Sequence, residues 1–106
     1  MTEVDEALER FAADIKNSEV YREYRKQLDL VKQDPALKAR IDEFRQRNYD
    51  MQMSEGFDFA KLAEFEKEFK GFRENPLVDN FLAAELAFCR MMQELEDNLI
   101  ERLDFE

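Results

Sequence analysis

Histidine and tryptophan are absent from this 106-residue chain, and cysteine occurs once, at Cys89. Without histidine there is no Ser-His triad, no helix-borne Glu-x-x-His di-iron site and no zinc-protease motif. The two glycines, Gly56 and Gly71, sit in no phosphate-cradling or dinucleotide-binding pattern, and no calcium loop of the Asp-x-Asp-x-Asp-Gly type occurs. A lone cysteine cannot close an internal disulfide, which fits a reducing compartment. No apolar run approaches the roughly 18 residues of a membrane span. The first residues, Met1-Thr2-Glu3-Val4-Asp5-Glu6, carry acid where a signal peptide carries base. We therefore expect a cytoplasmic protein with no membrane partner, no catalytic residues, no bound metal and no cofactor.

What is present is charge and apolar bulk: 40% of residues are charged and 44% hydrophobic, with 10 Phe and 3 Tyr. Many charges with only 2 Gly and 2 Pro mark solvated helices, and the aromatics argue against disorder. The length suits one domain over residues 1–106. The net charge of −10 is unevenly spread: −4 over residues 1–21, +3 over 22–47 and −9 over 48–106. An acidic chain repels phosphate backbones, which disfavours direct nucleic-acid binding. Only the stretch 22–47 could support it, and basic residues interleaved with acids more commonly form a solvated helix face.

The periodicity is helical throughout. Val4, Leu8, Phe11, Ala12 and Ile15 form a first stripe, and Ser18 is a natural cap for a second of Tyr21, Tyr24, Leu28 and Val31. Asp34-Pro35 should break or kink the chain and start a helix running to about Ser54, with Leu37, Ile41, Phe44, Asn48 and Met51 on one seam. Glu55-Gly56 permits a reversal, Asp58 can cap, and the spacing predicts a fourth helix with the seam Leu62, Phe65, Phe69 and Phe72. Asn75-Pro76 opens the longest helix, to about Leu103. The expected fold is all-α: an elongated antiparallel helical bundle of about five segments that dimerises.

Dimerisation is expected because Phe57, Phe59, Phe65, Phe69 and Phe72 are many rings for one slim protomer to bury. The alternative is that all five fold into a monomer core. Asn48 and Glu85 fall in slots of apolar seams, where a polar side chain fixes register or meets a partner; equally, the seam there has drifted to the surface. The acidic clusters Glu64/Glu66/Glu68 and Glu94/Glu96/Asp97 read as solvated, and Cys89, beside Leu86, Phe88 and Met92, as an inert core thiol.

Ser18-Glu19-Val20-Tyr21, Val31-Lys32-Gln33-Asp34-Pro35, Glu43-Phe44-Arg45 with Gln52, Asn75-Pro76-Leu77-Val78 and Phe81-Leu82-Ala83-Ala84-Glu85 follow one another in this order. The order resembles the YlbF/YmcA family of bacterial regulators, including the short YheA-type proteins, from about Phe11 to Leu103. The resemblance implies a dimerising all-helical hairpin fold and a regulatory, non-enzymatic role. Members are associated with competence, sporulation and biofilm development, and some act in a complex that modulates ribonuclease Y and messenger RNA processing. Those members bind iron–sulfur clusters through several cysteines. Cys89 alone cannot supply the usual four ligands, so the cluster is not carried over.

Arg45 and Glu85 lie in the stretches that carry the likeness, and an antiparallel arrangement of their helices would let them pair, within a chain or across a dimer. The leading expectation is a dimeric adaptor that contacts other proteins, an RNA-processing complex among the candidates. The alternative is an RNA-associated factor using Arg22, Arg25, Lys26, Lys32, Lys38, Arg40, Arg45 and Arg47.

Overall fold

A computed structural model describes residues 2–53 and 59–104. Five α-helices follow in order: α1 Glu3–Lys16, α2 Glu19–Lys32, α3 Pro35–Met53, α4 Phe59–Glu68 and α5 Pro76–Leu103, with a 3-10 turn at Phe72–Glu74 before the last. Among the described residues there is no strand, so the protein is all-α as its periodicity required. No described helix is long and apolar enough to cross a membrane.

Local chemistry sets the boundaries. Thr2 and Asp5 cap α1 reciprocally, the Asp5 N–H donating to the Thr2 hydroxyl at 3.1 Å. Ser18 joins α1 to α2: its hydroxyl donates to the Ile15 carbonyl at 2.6 Å and accepts the Tyr21 N–H at 3.2 Å. Asp34 accepts the Leu37 N–H at 3.1 Å ahead of Pro35, and Asn75 accepts the Leu77 N–H at 3.0 Å ahead of Pro76. Both prolines stand at a first helical position, where the missing N–H costs nothing. The expected reversal at Glu55-Gly56 and the Asp58 cap lie outside the described residues.

The fourth segment departs from expectation. Its helix stops at Glu68 instead of continuing through Phe72. Gly71 takes a left-handed conformation, φ +73°, which an L side chain rarely adopts, and the chain turns there into the 3-10 segment. Phe69, whose N–H still donates to the Phe65 carbonyl at 3.0 Å, keeps the helical repeat, whereas Phe72 reaches the same cluster by the turn.

The chain divides into two compact units. Asp29–Asp79 form one; the residues before Asp29 and after Asp79 form the other, so the division falls inside α2 and inside α5. In the terminal unit the ring of Phe88 is met edge-on by Tyr21 at 5.6 Å and stacked by Tyr24 at 5.2 Å. Phe81 is fully buried there, with Leu28, Ala84 and the polar Gln27 also buried. Gln27 donates its amide to Glu23 at 2.8 Å, while its carbonyl oxygen accepts no hydrogen bond. In the central unit Val31, Ile41 and Val78 are fully buried and Phe69 nearly so.

One further reading is corrected. Cys89 is exposed, not a core thiol. At roughly 100° per residue it stands a quarter turn or more round α5 from Phe88 and faces away from the ring stack. Helix α1 is amphipathic yet buries none of its residues: Val4, Leu8 and Phe11 are all exposed.

Candidate functional site

The densest convergence of side chains lies in the central unit, where α3 meets the end of α4. Phe44 on α3 is the hub, with ring centroids of Phe65, Phe69 and Phe72 at 5.2, 5.2 and 5.4 Å. Phe69 in turn touches Phe65 at 5.1 Å and Phe72 at 5.5 Å. The interplanar angles, from 31° to 75°, are the tilted and edge arrangements that ring quadrupoles prefer.

Over this cluster sits an ionic clamp. Arg40, Glu43 and Arg47 recur at i, i+3 and i+7 and so share a face of α3. Arg40 donates to the backbone carbonyl of Glu68 at 2.9 Å and to its carboxylate at 3.3 Å, and pairs with Glu43 at 3.1 Å. Arg47 hydrogen-bonds the other carboxylate oxygen of Glu68 and lies 3.8 Å from Glu43. The Arg40 guanidinium carbon is 4.1 Å from the Phe69 ring centroid and that of Arg47 5.7 Å, both within cation–π reach. Glu68 ends α4, so Arg40 also satisfies one of the carbonyls that a helix C-terminus leaves without an intrahelical partner.

The clamp sets a proton equilibrium. The hydrogen bond from Arg47 holds the Glu68 carboxyl below its ordinary range, against a smaller opposing push from desolvation and with further help from Arg40. A depressed folded-state value means stability that is present above the ordinary glutamate range and lost as pH falls through the folded value. The denaturation midpoint should accordingly fall between roughly pH 5 and pH 3 in the wild type, and Glu68→Gln should flatten part of that slope. An unchanged slope in the variant would remove Glu68 from this role.

Beside the clamp is a cavity of about 280 Å³ lined by Arg47, Asp50, Met51, Lys61, Glu64 and Phe65. It offers two cations, two carboxylates and an apolar wall, and falls just short of the roughly 300 Å³ at which small-molecule pockets begin. Among the described residues no group of three or more Cys, Asp or Glu side chains could hold a metal ion.

Of the residues singled out in the sequence, Phe65, Phe69 and Phe72 are brought together, and three of the five rings meet within the protomer around Phe44. Phe59 is 78% exposed at the start of α4, and Phe57 lies outside the described residues. Asn48 and Glu85 are both half-buried, on α3 and α5. Arg45 is exposed and ion-paired with Asp42 at 3.3 Å on its own helix. Arg45 and Glu85 fall in different units. Glu68 is exposed, as its acidic neighbours suggested, but it is also ion-paired, with partners 21 and 28 residues away in sequence. The spacing of Arg40, Glu43 and Arg47 is the one trace of the clamp that the sequence carries.

A family model described as "Control of competence regulator ComK, YlbF/YmcA" matches residues 4–104. A UPF0342 protein of Lacticaseibacillus paracasei is 29% identical over 102 residues, covering 90% of this chain and 87% of its own length. A UPF0342 protein of Lacticaseibacillus casei is 28% identical over 99 residues, with the same coverage. No solved structure matches the chain.

Proposed function

The chain belongs to the YlbF/YmcA family, described as controlling the competence regulator ComK, and on that footing we propose that it is a regulatory adaptor working through contacts with other protein chains. The observation that carries the adaptor reading is α1, whose apolar stripe is left exposed at Val4, Leu8 and Phe11. Contiguous apolar surface of that kind marks an interaction site. The clamp on the aromatic cluster fits a structural part: it ties α3 to the end of α4 through charges already satisfied by one another.

The RNA-binding alternative is less supported. Of the eight basic residues in 22–47, Lys38 and Arg45 pair with Asp42, and Arg40 and Arg47 with Glu43 and Glu68. Cations engaged by carboxylates of their own chain have less to offer a phosphate backbone. The test is capture of the full-length tagged protein in its host with nuclease treatment, followed by mass spectrometry. Stoichiometric, nuclease-resistant protein partners would support the adaptor, and components of an RNA-processing complex among them would name its setting. RNA binding by the purified chain that weakens steeply with salt would favour the alternative instead.

The Arg45–Glu85 pair belongs to the same proposal, as a register-setting contact within the chain or across a dimer. Because Arg45 is exposed, its coupling to Glu85 should not exceed about 1 kcal/mol. A double-mutant cycle of Arg45→Met and Glu85→Gln, read by denaturant unfolding at fixed protein concentration, measures it. Coupling beyond roughly 0.5 kcal/mol supports the pair, and additive losses dismiss it.

A further inference from the structure

The cavity beside the clamp is walled by two matching sets of side chains. Arg47, Asp50 and Met51 on α3 and Lys61, Glu64 and Phe65 on α4 stand at i, i+3 and i+4 of their helices, so each set shares one face. The order is the same in both: a cation, a carboxylate and an apolar side chain. The clamp prepares one of these groups. Arg47 reaches Glu68 and Glu43 through a single nitrogen, Nη1, so its guanidinium is held in place while Nε and Nη2 keep their N–H donors. The carboxylates are likewise incompletely used. Asp50 accepts the Gln46 amide through Oδ1 at 2.9 Å, and Glu64 accepts no hydrogen bond among the described residues.

The geometry points to this cavity as a binding site for a free α-amino acid with an apolar side chain, of the size of leucine or methionine. That role goes beyond the adaptor reading and does not rest on it. The ligand's carboxylate meets the remaining Arg47 donors and the Lys61 ammonium, and its own ammonium meets Glu64 and the second oxygen of Asp50. Its side chain lies against Met51 and Phe65. Volume sets the upper bound on size. At roughly 30 Å³ for each water-sized group, a space of about 280 Å³ holds about nine non-hydrogen atoms, the number in leucine and in methionine.

Charge selects among ligands of that size. Two cations and two carboxylates make the wall neutral, so an ion of one sign meets as much repulsion as attraction. A molecule carrying both charges pairs with all four groups, and none of them is desolvated without a partner. The apolar requirement comes from Met51 and Phe65, both half-buried, a wall that glycine would leave wet. Asp50, Lys61 and Glu64 are exposed, so solvent and salt screen their attraction. Binding is therefore in the millimolar range and weakens as salt rises.

The experiment is a titration of the full isotope-labelled chain, read by amide NMR shifts at low and high salt. Leucine and methionine should each give saturable shifts centred on residues 47–51 and 61–65. Leucinamide, which lacks the carboxylate, isocaproate, which lacks the ammonium, and glycine, which lacks the side chain, should each bind at least fivefold more weakly. Lys61→Gln and Glu64→Gln should each weaken leucine at least threefold with helicity by circular dichroism unchanged, since both side chains are exposed. Glu66→Gln, an equal change of charge on an exposed residue of α4 outside the cavity, should leave binding as it was. If either cavity variant lost helicity, the ligand series on the wild type would decide alone. No saturable shift with leucine or methionine up to tens of millimolar would overturn the site. Leucinamide or isocaproate binding as tightly as leucine would overturn the zwitterion as its ligand, and shifts centred elsewhere would overturn this cavity as its place.

Discussion

Replacing Phe81 by alanine should cost about 3–5 kcal/mol, the range for truncating a fully buried aromatic side chain. Phe81 has no exposed surface, and its ring lies 6.0 Å from that of Tyr24 in the seam between α2 and α5. Truncation there loses the transfer free energy of the ring and leaves a cavity that two helices tied by Tyr21, Tyr24 and Phe88 can only partly close. Against a total of about 5–15 kcal/mol for a domain, the loss is a large share of the whole stability. The measurement is the denaturant midpoint by circular dichroism, at one protein concentration so that any self-association is held fixed. Phe59→Ala is the control: a ring that is 78% exposed should change stability by no more than about 0.5 kcal/mol. If the two variants lost equal amounts, the terminal unit would have no core at Phe81.

How much of this was legible depends on the range of the interaction. The starts of α2, α3 and α5 were readable because Ser18, Asp34-Pro35 and Asn75-Pro76 act within a few residues of themselves. The start of α1 was equally local, a Thr2–Asp5 capping box, and the sequence carried it without its being singled out. Gly71 was visible, but nothing in the spacing of Phe65, Phe69 and Phe72 distinguishes a continuous helix from one that stops and turns back onto the same cluster. Periodicity also assigns a stripe without assigning its cover. Leu8 and Phe81 look alike as members of apolar repeats, and only packing makes one exposed and the other buried. Cys89 shows the same limit, since apolar neighbours in sequence point to other directions round a helix. The clamp was out of reach for a different reason. Salt bridges across 21 and 28 residues leave no local pattern, and Glu68 resembles every other glutamate on α4 until Arg40 and Arg47 arrive beside it.

That clamp makes the second large effect specific. Phe69→Ala should again cost about 3–5 kcal/mol, but for more reasons than burial alone. Phe69 is 7% exposed, meets three other rings and lies under the Arg40 guanidinium. Aromatic pairs add about 0.5–1.5 kcal/mol beyond the area they bury, and a cation–π contact about 0.5–1 kcal/mol where it is partly solvated. Phe69→Leu separates the contributions, because it keeps most of the apolar volume and loses the ring face. It should cost less than Phe69→Ala by about 2 kcal/mol or more, the remainder being ring geometry and the guanidinium contact. The guanidinium share is isolated by a double-mutant cycle with Arg40→Gln: the arginine should matter less by about 0.5–1 kcal/mol once residue 69 is leucine. Arg40 still contacts the Glu68 carbonyl in both backgrounds, so that hydrogen bond cancels from the difference. Additive losses would leave Arg40 acting on Glu43 and Glu68 alone and reduce Phe69 to a purely apolar member of the cluster.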